Sequence, residues 1–121
     1  MDKRAKYTEV TGTGIVEEDA ASLEIVSPDT GTTDVYLYIE KMYFSVFKAA
    51  AGGGGILEIK DTDGEVFFTV NVDAIKDVPF DFGEEGIRIS DTKNVGLQAV
   101  VSGAATQASA SVAVICHFSP K

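Results

Sequence analysis

Tryptophan is absent and cysteine and histidine occur once each, as Cys116 and His117, so much of the usual chemistry of active sites is excluded at the outset. One cysteine cannot close a disulfide within the chain. One Cys and one His cannot supply the three or four protein ligands of an intrachain zinc site, and no metal or cofactor is expected. A Ser-His-Asp or Cys-His arrangement would have to use His117, which neighbours Cys116 on an apolar strand, and no Gly-x-Ser-x-Gly elbow accompanies it. Both residues read as structural, Cys116 as a small buried hydrophobe and His117 as an exposed or partly satisfied strand residue.

Bases are scarce as well. Ten Lys and Arg against nineteen Asp and Glu leave a net charge of −9, which repels phosphate backbones and anionic membrane surfaces, so neither nucleic acid nor membrane is expected as a partner. Three of the cations, Lys3, Arg4 and Lys6, fall in the first six residues. The chain therefore divides into a basic N-terminal arm at 1–6 and a more acidic single domain at 7–121. No stretch of roughly 18 apolar residues is present to form a spanning helix. Residues 1–10 lack the apolar core of about 7 to 15 residues that a secretory signal requires, so export by that route is not expected.

At 121 residues the chain is sized for one domain with its own hydrophobic core. Twelve Gly, seven Phe and four Tyr, beside many Val, Ile and Thr, favour strands and tight turns over helices. About eight short apolar segments separated by Gly, Pro, Asp and Asn clusters predict an all-β fold, an antiparallel sandwich or barrel. The first two run from Tyr7 to Glu17 and from Leu23 to Ser27, the second closed by the turn Pro28-Asp-Thr-Gly31.

The segment Asp34–Lys48 carries an irregularity. Val35, Leu37 and Ile39 share one parity, while Met42, Phe44 and Val46 continue on the other. A strand keeps one face inward across such a change only by inserting a residue, which places a bulge or bend at Glu40-Lys41. The opposite face holds Tyr36, Tyr38, Tyr43 and Phe47, more aromatic than a surface facing only water. A second sheet's core or a subunit contact would hide these four. Arg88 reads either as an intersubunit ion-pair anchor or as a surface Arg facing water or a neighbouring Asp, and the five together are the candidate interface.

Glycine dominates Ala49–Gly55, yet neither a Lys-Ser/Thr nor a helix follows, so a phosphate cradle is not indicated. An alternating strand follows instead, and Asp61-Thr-Asp-Gly64 turns it into Val66–Val72. Asp-Gly between alternating apolar runs signals a hairpin. Asp61 and Asp63 alone do not complete a calcium loop. A linked third strand runs through Val78-Pro-Phe-Asp-Phe towards Gly86-Ile-Arg88. Asp77, Asp81, Glu84 and Glu85 around it read as solvated acids rather than a glycosidase pair. No constellation for catalysis is present, and an enzyme is not expected.

From Gly55 to Arg88 the alternating strand, the Asp-Gly turn, the aromatic strand and the Val-Pro-Phe-Asp-Phe phrase resemble the small virion proteins of phages, in particular head decoration (cement) proteins. That resemblance implies a β-sandwich of jelly-roll type that forms a homotrimer on the capsid surface, with the major capsid protein as partner and synthesis in the host cytoplasm. Lys3, Arg4 and Lys6 would then reach an acidic capsid shell. A second reading stays open: a carbohydrate- or receptor-binding sandwich of a phage fibre or surface protein, with Tyr36, Tyr38 and Tyr43 as a sugar platform.

Overall fold

The structure, a computed structural model, describes residues 8–17, 22–29, 31, 34–49, 54–104 and 108–120. The basic arm with Lys3, Arg4 and Lys6 lies outside the described residues, as does part of the glycine-rich run. Among the described residues all regular structure is β: β1 (Thr8–Glu17), β2 (Leu23–Val26), β3 (Tyr36–Lys48), β4 (Gly54–Asp61), β5 (Val66–Asn71), β6 (Lys76–Asp81), β7 (Ile87–Arg88), β8 (Leu97–Ala104) and β9 (Ser109–Ser119).

Two antiparallel sheets pack into the expected sandwich. The larger runs β1-β9-β3-β6, with β7 also paired to β3, and the smaller runs β2-β8-β4-β5. Strand β9 pairs with β3 over its whole length, so β6 and β7 lie end to end along the opposite side of β3. With the two-residue β7 set aside, the first and last strands are neighbours in the larger sheet, and the second and next-to-last are neighbours in the smaller. The chain is thus wound as a folded-over pair of antiparallel arms.

Alternation explains the core. Leu37, Ile39, Met42, Phe44 and Val46 of β3 meet Leu57 and Ile59 of β4, Leu97, Ala99 and Val101 of β8, and the even-numbered residues from Ala110 to Phe118 of β9 in one buried cluster. Each such large side chain contributes about 1.5–3 kcal/mol by leaving water. Cys116 belongs to this cluster and is fully buried. Near the β1–β2 connection the two sheets converge, and a Cβ at Gly12 or Gly14 would collide with the Ile25 carbonyl or the Leu23 side chain. Only glycine permits that approach.

The change of parity in β3 is a bulge at the expected place. Ile39 pairs with Cys116 and Lys41 with Ile115, leaving Glu40 as the extra residue. Its carbonyl accepts the Phe82 N–H at 2.7 Å, which ties the chain after β6 back to the bulge.

The Asp-Gly hairpin also forms, between β4 and β5. The Asp61 N–H donates to Glu65 O and the Gly64 N–H to Asp61 O, with Gly64 at φ 99°. Asp61 is buried, and its Oδ1 accepts the amides of Asp63 and Glu65 at 2.9 and 3.0 Å, so this carboxylate braces the turn. The segment after the hairpin does not extend the smaller sheet. It crosses to the larger one as β6 and β7, and Phe68 of β5 and Phe80 of β6, edge to face at 4.9 Å between centroids, seal the crossing over Phe44.

Candidate functional site on the outer face of the larger sheet

The two outer faces differ in character. On the smaller sheet the outward positions of β4 and β8 mix Glu58, Lys60, Gln98 and Ser102 with Ile56 and Val100, a more polar surface than the groove described below. On the larger sheet, register sets the outward residues in rows across the strands. One row is His117, Tyr38 and Arg88; the next is Thr11, Ile115, Lys41 and Asp81; then Ala113, Tyr43 and Pro79; then Ser111, Ser45 and Asp77.

The first row is closed within the chain. His117 is 0% and Tyr38 2% exposed although both face away from the core. Their rings stack at 5.4 Å with an interplanar angle of 8°. Glu40, freed from the ladder by the bulge, places Oε2 at 2.8 Å from His117 Nδ1. On the other side Arg88 donates from Nε and Nη2 to the Tyr38 hydroxyl at 3.2 and 3.0 Å, and its guanidinium lies 3.9 Å over the Tyr36 ring. The bond to Tyr38 raises the guanidinium pKa further. Arg88 also pairs with Asp91 at 3.4 Å.

The row places several residues that the sequence singles out. Of the two readings of His117, exposed or partly satisfied, the second holds: the residue is fully buried, with a partner at Nδ1 and none at Nε2. Arg88 is engaged with three residues of its own chain, Tyr36, Tyr38 and the neighbouring Asp91, the last being the alternative to an intersubunit anchor. Tyr36, Tyr38 and Tyr43 do not share an open surface, because Arg88 covers the first and the second is buried, whereas Tyr43 is 43% exposed.

The second and third rows form an open groove of about 650 Å³. Its floor is apolar, made by Ile115, Ala113, Tyr43 and Pro79, with Lys41 and Asp81 at one end. Beyond it, Asp77 accepts the Ser45 hydroxyl at 2.7 Å. The lie of the Tyr43 ring against the sheet, and then the charge and hydrogen bond of Asp77, raise the phenol pKa above its ordinary value. Phe47 is exposed at the far end of β3, where a second register shift follows Val46. Sequence reasoning found Tyr43 and Phe47 here but missed Lys41, Pro79, Asp81 and Ile115. The missing signal was pairing: nothing local in the chain says that β6 lies beside β3.

Among the described residues no three His, Cys, Asp or Glu side chains are grouped as a metal site would require. No family model and no curated protein matches the sequence. Among solved structures, the chain resembles one in the acidic stable capsid structure of Helicobacter pylori bacteriophage KHP30, with 13% identity, a TM-score of 0.62 and coverage of 100% of this chain and 95% of that chain. A weaker match, 13% identical with a TM-score of 0.34, is to the structure of infectious bursal disease virus Gx strain, of which it covers 37% of the chain. The likeness to the phage chain is one of fold, and it agrees with the resemblance to small virion β-domains.

Proposed function

We propose that this chain is a structural virion protein that decorates and stabilises a phage capsid as a homotrimer, without enzymatic activity. The observation that carries this reading is the end-to-end match with a chain of a phage capsid structure, 100% of one against 95% of the other.

The strand order supports the reading. Sheets ordered β1-β9-β3-β6 and β2-β8-β4-β5 are compatible with the jelly roll of this reading, an architecture common in capsid proteins. The half-apolar groove supports it too, because an outer sheet face with an exposed Tyr and Ile is better suited to contact than to solvation. On this reading the partners are further copies and the major capsid protein, the place of action is the capsid surface, and the basic arm with Lys3, Arg4 and Lys6 reaches the shell.

The test is reconstitution. The purified chain is mixed with particles that lack it and sedimented, and its copy number per particle is measured beside its mass in solution. Binding at a fixed, saturable stoichiometry by a trimeric protein is expected. A protein that does not co-sediment with particles at any concentration would remove the decoration role.

A further inference from the structure

We propose that the outer face of the larger sheet is self-complementary, and that a second copy of this chain packs on it about a two-fold axis running along the strands, midway between β3 and β6. Along β3 the outward residues are Lys41, Tyr43 and Ser45, and directly beside them on β6 are Asp81, Pro79 and Asp77. Strand β6 is the edge of the sheet, so this pair of strands is open to a partner both from above and from the side.

A two-fold axis lying in the contact plane and parallel to the strands exchanges β3 with β6 without sliding either along its length. Each residue then faces its own neighbour's counterpart in the second copy. Lys41 faces Asp81, Tyr43 faces Pro79 and Ser45 faces Asp77, and symmetry makes every match twice. Opposite charges meet at one end, a proline ring meets an aromatic ring at the centre, and a hydroxyl meets a carboxylate at the other end. Sheets stacked with strands nearly aligned are also the ordinary geometry of sheet packing.

A different occupant fits less well. Lys41 and Asp81 are both exposed and lie side by side at the groove's end. A partner of either single sign would set one of them against a like charge, whereas a second copy brings one of each in reversed order. The rest of this chain carries a net charge of −9, so association of two copies at an arbitrary patch is opposed. A contact of this kind needs opposite charges within reach of each other, and Lys41 beside Asp81 supplies them, while Asp77 at the other end is already engaged by the Ser45 hydroxyl.

The contact is additional to the three-fold one of the decoration reading and does not depend on it. Sedimentation equilibrium over a concentration series separates the two. An even multiple of the chain mass, two if no trimer forms and six if it does, is expected. A mass that stays at one or three chains at every concentration overturns the two-fold contact and leaves the decoration reading to its own test.

Charge exchange tests the geometry. Lys41→Asp and Asp81→Lys, each alone, place like charges across the axis and should weaken association by at least about tenfold. An equimolar mixture of the two variants restores opposite signs in both symmetry-related matches, so the even-mass species should return in the mixture alone. Circular dichroism confirms that each variant is folded. Association of the single variants as strong as wild type, or a mixture no better than its components, would show that this face is not the contact.

Discussion

Glu40 and His117, 77 residues apart in the chain, meet at 2.8 Å on a sheet face where neither is exposed to solvent by more than a few per cent. The bulge makes this contact, since a regular strand would have held the Glu40 side chain in the alternation of its neighbours. A charged or polar pair with so little access to water is costly to break from one side, because the remaining group stays desolvated.

Glu40→Ala and His117→Ala should therefore each lower stability by about 1–3 kcal/mol, and the double variant by clearly less than their sum. Urea unfolding of the four proteins measures the coupling. Strict additivity would mean that the pair contributes nothing as a pair.

Arg88 acts as a lid through a planar group, so charge alone does not replace it. Arg88→Lys keeps the cation but loses the flat stack on Tyr36 and the two-donor grip on the Tyr38 hydroxyl. A loss of about 0.5–2 kcal/mol is expected, with Tyr38→Phe costing a similar amount and adding little on top. A lysine variant as stable as wild type in thermal unfolding would contradict this.

Tyr43 gives an alkaline signature. Its phenol pKa is raised by the ring's desolvation and by Asp77, so the folded state holds this proton more tightly than the unfolded chain does. The contribution to stability is complete below the ordinary tyrosine pKa of about 10 and is lost as pH climbs through the raised value. Ultraviolet titration should show a late-ionising tyrosine that Tyr43→Phe removes, and Asp77→Asn should bring it back towards the ordinary range.

Two phenylalanines three residues apart in β3 should behave oppositely. Phe44 is fully buried among Phe68 and Phe80, and truncation to Ala should cost about 3–5 kcal/mol. Phe47, 49% exposed, should cost under about 1 kcal/mol in the isolated chain. Equal losses in denaturant unfolding would place Phe47 in a contact of comparable burial.

Much of the fold was legible because its signals are local. Alternation marked the strands, Asp-Gly marked the β4–β5 hairpin, and a parity change marked the bulge within one residue. The sandwich followed from the spacing of these elements. What stayed hidden was pairing between distant segments. The passage after the hairpin reads as one strand, yet Pro79 sits on an edge strand of the opposite sheet, and only that placement sets Asp81 beside Lys41. The choice between an exposed and a partly satisfied His117 stayed open for a related reason. On a strand alternating inward apolar residues an outward position implies exposure, and neither Tyr38 nor the bulged Glu40 announces in the sequence that it will cover that position. The four aromatic residues of β3 outside the core, Tyr36, Tyr38, Tyr43 and Phe47, read in the sequence as needing cover. Two of them, however, are covered from within the chain.

The extra residue at Glu40 means that the two halves of β3 are written in different reading frames. Inward residues are odd-numbered before it and even-numbered after it, although the strand is continuous in space. Any related chain without an insertion at this point, or with one elsewhere, matches this one in only half of the strand when the two are laid side by side residue by residue. In the other half, core positions fall opposite surface ones. Kinship among such domains is therefore recorded in which residues face inward, strand by strand, and erased from the simple order of letters.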